Sequence, residues 1–211
     1  MRTERCLLMS NYFEVFSLPA KLQIDTAALE KQFYVLSRKL HPDRFASRPV
    51  AEQEAALAQS SQLNDAYRAL KDPVLRTQYL LKLQGVELEE QSKAATDAAR
   101  ATGGQKKQIV PPELLEEVFE LNMQLQEMRA ARQMGEDEPE LRRDLMTAKD
   151  SFDAKMVETQ AELEGYWARW DEALDAGDEA GKAAARDAMV ALLNKRSYLR
   201  NLVRDVNEAL E

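Results

Sequence analysis

Residues 25–43 read DTAALEKQFYVLSRKLHPD, and this stretch decides the fold. Asp25 is a good helix N-cap, because its carboxylate can accept backbone N–H groups that a first turn leaves unpaired. At about 100° per residue, Leu29, Phe33, Leu36 and Leu40 fall within an arc of about 60° and form one apolar stripe. Lys31 and Arg38 lie nearly opposite that stripe. The helix must stop before Pro42, since proline disfavours helical backbone at the residue ahead of it. The spacing therefore predicts an amphipathic helix over residues 25–40, then an extended corner from which His41 and Asp43 project.

Helical periodicity continues on both sides. Ser10 is placed to cap a short helix carrying Tyr12, Phe13, Val15, Phe16 and Leu18, stopped near Pro19. A third helix over residues 50–70 presents Leu63, Ala66, Tyr67 and Leu70, and Lys71-Asp72-Pro73 ends it. A short fourth helix covers residues 74–83. The chain then turns polar and small, and with Gly103-Gly104 and Lys106-Lys107 it reads as a linker over residues 84–110. Pro111-Pro112 opens a second domain over residues 111–211. Its first helix puts Leu114, Val118, Leu121, Leu125 and Met128 within an arc of about 80°. Gly135 and Pro139 bracket a turn, and a helix over residues 140–175 repeats Leu141, Leu145, Ala148, Phe152, Met156, Leu163, Tyr166 and Trp170. Gly177-Asp178 supplies a stop and a new cap before a last helix with Met189, Leu192, Leu199, Val203, Val206 and Leu210. Three amphipathic helices joined by short turns imply an antiparallel bundle. The expected class is all-α: a helical hairpin domain over residues 10–83, the linker, and a C-terminal three-helix bundle.

Composition narrows the chemistry. The 211 residues hold 29 Lys or Arg against 37 Asp or Glu, a net charge of −8, and they include only 7 Gly, 1 Cys and 1 His. A structural zinc site needs about four Cys or His ligands, and nucleophilic designs built on histidine would have to use His41 alone. No glycine-rich phosphate loop is present. The expectation is a protein that is not an enzyme and holds no metal or other cofactor. Residues 1–75 carry 10 basic against 9 acidic side chains, whereas the remainder carries 19 against 28. An acidic protein is a poor nonspecific nucleic-acid binder. Apolar runs fall far short of the ~20 residues of a membrane span. A single Cys6 suits a reducing compartment, and a cytoplasmic protein is expected.

His41-Pro42-Asp43 lies in a specific frame. Before it stands Tyr12-Phe-x-x-Phe-x-Leu-Pro19, and after it Asn64-x-Ala-Tyr-x-x-Leu-x-Asp-Pro-x-x-Arg-x-x-Tyr79. Across residues 10–80 this resembles the J-domain family. There the H-P-D loop and the basic face of the preceding helix engage a DnaK-type chaperone and stimulate its ATP hydrolysis. The resemblance implies that His41, Pro42 and Asp43 form the trigger, with Lys31, Arg38, Lys39 and Arg44 as basic contacts. A basic stripe would steer docking onto an acidic partner and weaken with salt.

The second domain has no Gly/Phe-rich stretch and no C-x-x-C repeat. A J-domain followed by an acidic three-helix bundle resembles the HscB-type co-chaperones of iron–sulfur cluster biogenesis, and Asp72-Pro73-Val-Leu-Arg-x-x-Tyr-Leu-Leu81 is similar to that family's junction. The resemblance implies two partners, the specialised chaperone HscA through the J-domain and the scaffold protein IscU through the bundle. On the helix after Pro112, Leu115, Phe119 and Met123 sit about 100–180° around from Leu114, an arc wider than a three-helix bundle buries. Glu116 and Glu120 flank them. An apolar line rimmed by carboxylates suits protein docking, and the family places scaffold contacts on this helix. Two alternatives stand beside this reading: a J-protein for another client, and a helical assembly protein that lacks ATPase stimulation. Trp167 and Trp170 are expected in the core, Arg196 inside the last helix's apolar stripe, and Glu136-Asp137-Glu138-Pro139-Glu140 in a solvated turn.

Overall fold

The computed structural model describes residues 11–86, Leu88 and residues 110–211. Cys6, Ser10 and most of the expected linker, including Gly103, Gly104, Lys106 and Lys107, lie outside the described residues. Among those described, the regular structure is helical with no strand: α1 (Tyr12–Val15), α2 (Thr26–Leu40), α3 (Val50–Lys71), α4 (Pro73–Leu83), α5 (Leu115–Met134), α6 (Pro139–Ala176) and α7 (Glu179–Leu210). Short 3-10 turns at Pro42–Phe45 and Pro112–Leu114 precede α3 and α5.

The caps explain most boundaries. Asp25 accepts the Ala27 and Ala28 N–H groups at the start of α2. Asp72 accepts the Leu75 N–H, and Pro73 occupies the first position of α4, where a missing N–H costs nothing. The expected Ser10 cap is corrected. Asn11 caps α1, accepting the Glu14 N–H while the Glu14 side chain reaches back to the Asn11 N–H. Helix α1 also ends earlier than Pro19 requires, since Ser17 turns to a left-handed φ of 52°. Gly135 and Gly177 close α5 and lead out of α6 with φ of 72° and 66°, a backbone setting in which Cβ is penalised.

The described chain falls into two compact units. One combines the described part of Met1–Leu88 with Trp167–Arg186, and the other the described part of Glu89–Tyr166 with Asp187–Glu211. The boundaries drawn from sequence follow chain order, whereas these units do not: the turn end of the α6–α7 hairpin belongs with the N-terminal helices. The reason is a set of polar contacts far apart in sequence. Asp171 is buried and accepts the Leu22 N–H at 2.8 Å and the Gln23 N–H at 2.9 Å. Trp170 Nε1–H donates to the Ala20 carbonyl at 3.1 Å, and Lys21 Nζ meets Asp175 at 2.6 Å. Arg76, also buried, donates to the Leu70 carbonyl at 2.6 Å and lies 5.8 Å from the centre of the Trp167 ring. Burial pushes the Asp171 carboxyl above its ordinary pKa, opposed by the two backbone N–H groups and by Lys21. The Arg76 guanidinium is lowered by its own burial, against the pull of Asp171 and Asp72. Around these groups Phe13, Phe16, Leu22, Leu29, Leu63, Leu70, Leu80, Leu81 and Trp170 make the apolar core.

The second unit buries the predicted stripe of α5. Leu114, Val118, Leu121, Leu125 and Met128 pack with Leu141, Leu145 and Phe152 of α6 and with Leu199, Leu202 and Val206 of α7. Glu117 pairs with Lys155 at 3.2 Å and Glu113 with Lys195 at 3.5 Å, and Arg142 Nη1 donates to the Leu210 carbonyl at 2.9 Å. Exposed pairs of this kind stabilise by only about 0–1 kcal/mol, so the apolar layer holds the unit together. Met156, Val203 and Leu210 pack partly buried at its edge, and Arg196 is half-buried on α7.

Replacing Asp171 with Ala leaves the Leu22 N–H buried without an acceptor. A buried unpaired donor costs about 1–3 kcal/mol. Asp171→Ala is therefore expected to lower stability by about 2 kcal/mol in urea unfolding, with Asp171→Asn, which keeps one acceptor, falling in between.

Candidate functional site

Helix α2 is set by what it buries. Leu29 is fully buried, and Phe33, Leu36 and Leu40 are partly so. Phe33 stacks on Tyr67 of α3 with ring centres 4.1 Å apart and planes 12° from parallel. The Tyr67 hydroxyl donates to Glu30 at 3.0 Å, and Lys71 lies 3.5 Å from the same carboxylate. Tyr67 and then Glu30 raise the Lys71 pKa above its ordinary value. Gln32 Nε2 donates to the Phe16 carbonyl at 2.9 Å, tying α2 to the end of α1. These contacts fix the rotation of α2 about its axis. Lys31, Arg38 and Lys39 are thereby left exposed, with Arg44 exposed just beyond the helix.

The corner after α2 is a built turn, not a loose loop. His41 is extended, at φ −62° and ψ 127°, and it caps the 3-10 turn Pro42–Phe45. The Asp43 N–H donates to His41 Nδ1 at 3.3 Å, and the Arg44 N–H to the His41 carbonyl at 3.0 Å. Asp43 Oδ2 also lies 3.5 Å from His41 Nδ1. When Nδ1 acts as acceptor, the neutral ring carries its proton on Nε2, which leaves that N–H as a donor. The two side chains are 56% and 87% exposed. Both project as the sequence predicts, but as one preorganised pair, a detail the tripeptide alone did not reveal.

On α5 the sequence-derived apolar line is exposed rather than core: Leu115 is 56%, Phe119 66% and Met123 58% accessible. Glu116 and Glu120 stand exposed beside it. The three apolar residues follow an i, i+4, i+8 course on the side away from Leu121 and Leu125. A groove of about 280 Å³ runs between α5 and α6, lined by Glu117, Glu120, Gln124, Asp144 and Phe152 among others, and none of the three apolar residues lines it. Their surface is open, as protein-docking surfaces are, and lacks the concavity of a small-molecule site.

Trp167 and Trp170 are buried as expected, and residues 136–140 are exposed, with Pro139 and Glu140 already in the first turn of α6. Among the described residues no group of three or more His, Cys, Asp or Glu could hold a metal ion, and no helix is long and apolar enough to cross a membrane. Three features escaped the sequence reading. Asp171 looks like an ordinary solvated charge on a helical stretch, and Arg76, quoted within the J-domain frame, carries no sign there of its burial. Tyr34 and Val35, 56% and 53% exposed, lie on the outer face of α2 between Lys31 and Arg38; their angular distance from Leu29 was the available signal.

Comparison with known proteins bears on both regions. The family model described as "DnaJ domain" matches residues 11–79, which span α1 to α4 and include the His41-Pro42-Asp43 turn. The structure is similar to chaperone HscB from Vibrio cholerae, with 27% identity, 94% of this chain and 96% of that chain covered, and a TM-score of 0.58. Residues 11–79 are a J-domain, and the whole chain is similar to HscB-type co-chaperones. The human co-chaperone protein HscB shares the fold at 22% identity, covering 95% of this chain and 82% of that one with a TM-score of 0.56. The partner class of such a J-domain protein is a DnaK-type chaperone.

The contrast between exposed and buried positions of α5 is directly measurable. Phe119→Ala is expected to change unfolding free energy by less than about 0.5 kcal/mol, as surface substitutions do. Leu121→Ala, one layer inward, is expected to cost about 2–5 kcal/mol. Urea titration of the two variants checks both values.

Proposed function

We propose that this chain stimulates ATP hydrolysis by a DnaK-type chaperone of the HscA kind and delivers to it the iron–sulfur scaffold IscU, for cluster transfer and protein maturation. The observation that carries the reading is the exposed, preorganised His41–Asp43 turn at the end of a helix whose outer face is cationic. In this account His41, Pro42 and Asp43 trigger hydrolysis. Lys31, Arg38, Lys39 and Arg44 steer the encounter with an acidic surface of the chaperone, raising the association rate more than the final affinity. The chain contributes no catalytic group or cofactor of its own. The bond that breaks is in the partner's ATP.

The scaffold is assigned to the line Leu115, Phe119 and Met123 with Glu116 and Glu120. Support comes from its exposure and its carboxylate rim, and from the likeness of the whole chain to HscB. Desolvating a phenylalanine in a partner pocket supplies binding free energy, while the rim excludes mismatched partners. We place the reaction in the cytoplasm.

Single-turnover ATP hydrolysis by the purified chaperone tests the first half. His41→Gln is expected to abolish stimulation while leaving the helical circular dichroism unchanged, because His41 is exposed and its side chain bonds only within its own turn. Stimulation that survives the substitution would overturn the assignment of the trigger. For the second half, Phe119→Ala is expected to weaken scaffold binding about tenfold, or roughly 1.4 kcal/mol, by calorimetry. Unchanged binding would remove Phe119 from the scaffold surface.

A further inference from the structure

The outer face of α2 is not uniformly charged. Taking Leu29 as the centre of the buried side, Lys31, Tyr34, Val35 and Arg38 all lie on the opposite side, within an arc of about 100°. They form an i, i+3, i+4, i+7 stripe that runs toward the His41–Asp43 turn. Tyr34 is 56% and Val35 53% exposed, side by side in the middle of the stripe with a cation at each end. The carboxylate nearest on the helix, Glu30, is engaged by Tyr67 and Lys71 of α3. The face therefore presents an apolar centre flanked by positive charge.

We propose that Tyr34 and Val35 are apolar anchors of the chaperone-docking face, inserting against an apolar spot that the DnaK-type partner carries between carboxylates. The inference rests on the chaperone reading above and deepens it. Two features select this occupant. The stripe is continuous with the His41–Asp43 turn, so a partner that covers the turn and meets Lys31 must also cover Tyr34 and Val35. Its charge is complementary to an acidic protein surface. Tyrosine also suits such a position, offering a large rigid contact at low entropic cost with a hydroxyl that stays wet. The physical consequence is a division of labour. The cations give a contribution that salt screens, and the apolar pair gives one that salt does not. Because Lys31 and Arg38 alone would fit any acidic surface, the apolar pair selects which DnaK-type chaperone docks.

The test measures the concentration of full-length chain that gives half-maximal stimulation of the chaperone's single-turnover ATPase, across a salt series. Three variants are compared with the unsubstituted chain: Tyr34→Ser with Val35→Ser, Lys31→Ser with Arg38→Ser, and His41→Gln. The apolar double variant is expected to raise the half-maximal concentration about tenfold, by the same factor at low and high salt. The cationic double variant is expected to raise it at low salt, with the factor shrinking as salt rises. All five substituted side chains are exposed, and circular dichroism is expected to be unchanged. A shift of less than about twofold for the apolar pair, with stimulation intact and lost in His41→Gln, would overturn the anchors and leave the chaperone reading standing. A shift for the apolar pair that disappears at high salt would overturn them as well. If His41→Gln stimulates as well as the unsubstituted chain, the chaperone reading fails and the anchors with it. Sedimentation showing that Tyr34→Ser with Val35→Ser dissociates a dimer of this chain would assign the pair to self-association and overturn the proposal.

Discussion

The packing of α2 on α3 is the constraint on which the functional surface depends. Phe33 stacks on Tyr67, and the Tyr67 hydroxyl and Lys71 hold Glu30. An aromatic stack of this kind adds about 0.5–1.5 kcal/mol beyond the area it buries. Its larger effect is geometric. A helix has one rotation at which Leu29, Phe33, Leu36 and Leu40 all turn away from solvent while Phe33 meets Tyr67, and that rotation turns Lys31 and Arg38 outward. It also delivers the chain to Pro42 in an orientation from which the His41–Asp43 turn stands free. The charged face and the turn are consequences of what the opposite face buries.

The fold was legible where one helix face carried the signal. The stripes of α2 and α5, the stop at Pro42, the Asp25 cap and the exits at Gly135 and Gly177 all follow from local spacing and backbone preference, and each is found where that spacing predicts. Even the excess apolar arc of Leu115, Phe119 and Met123 was legible, because a three-helix bundle has no second surface against which to bury it. What stayed hidden were pairings set by distant residues. Asp171 sits in a run of charges and small residues that reads as solvated helix, and only the arrival of the Leu22 and Gln23 N–H groups makes it a buried acceptor. Arg76 is likewise an unremarkable basic residue until Trp167 and the Leu70 carbonyl close over it. The membership of Trp167–Arg186 in the N-terminal unit follows from those same contacts, and no periodicity encodes them.

The two candidate surfaces use different chemistry, which suits different partners. The α2 face and its turn are cationic, with a small apolar centre. The α5 line is apolar with an anionic rim. A partner matched to one is mismatched in charge to the other, so the two surfaces discriminate against exchange of their occupants. The uneven charge of the sequence, nearly balanced through residue 75 and acidic beyond it, is the same arrangement read along the chain. The single histidine lies at the tip of the cationic surface, its Nδ1 accepting the Asp43 N–H and its ring open to a partner.

The measurement closest to the central claim is single-turnover ATP hydrolysis by the chaperone with this chain and the scaffold, each alone and then together. If one chain serves both partners, the rate with both present exceeds the sum of the separate stimulations. A rate equal to that sum, or no stimulation by this chain at all, would contradict the account.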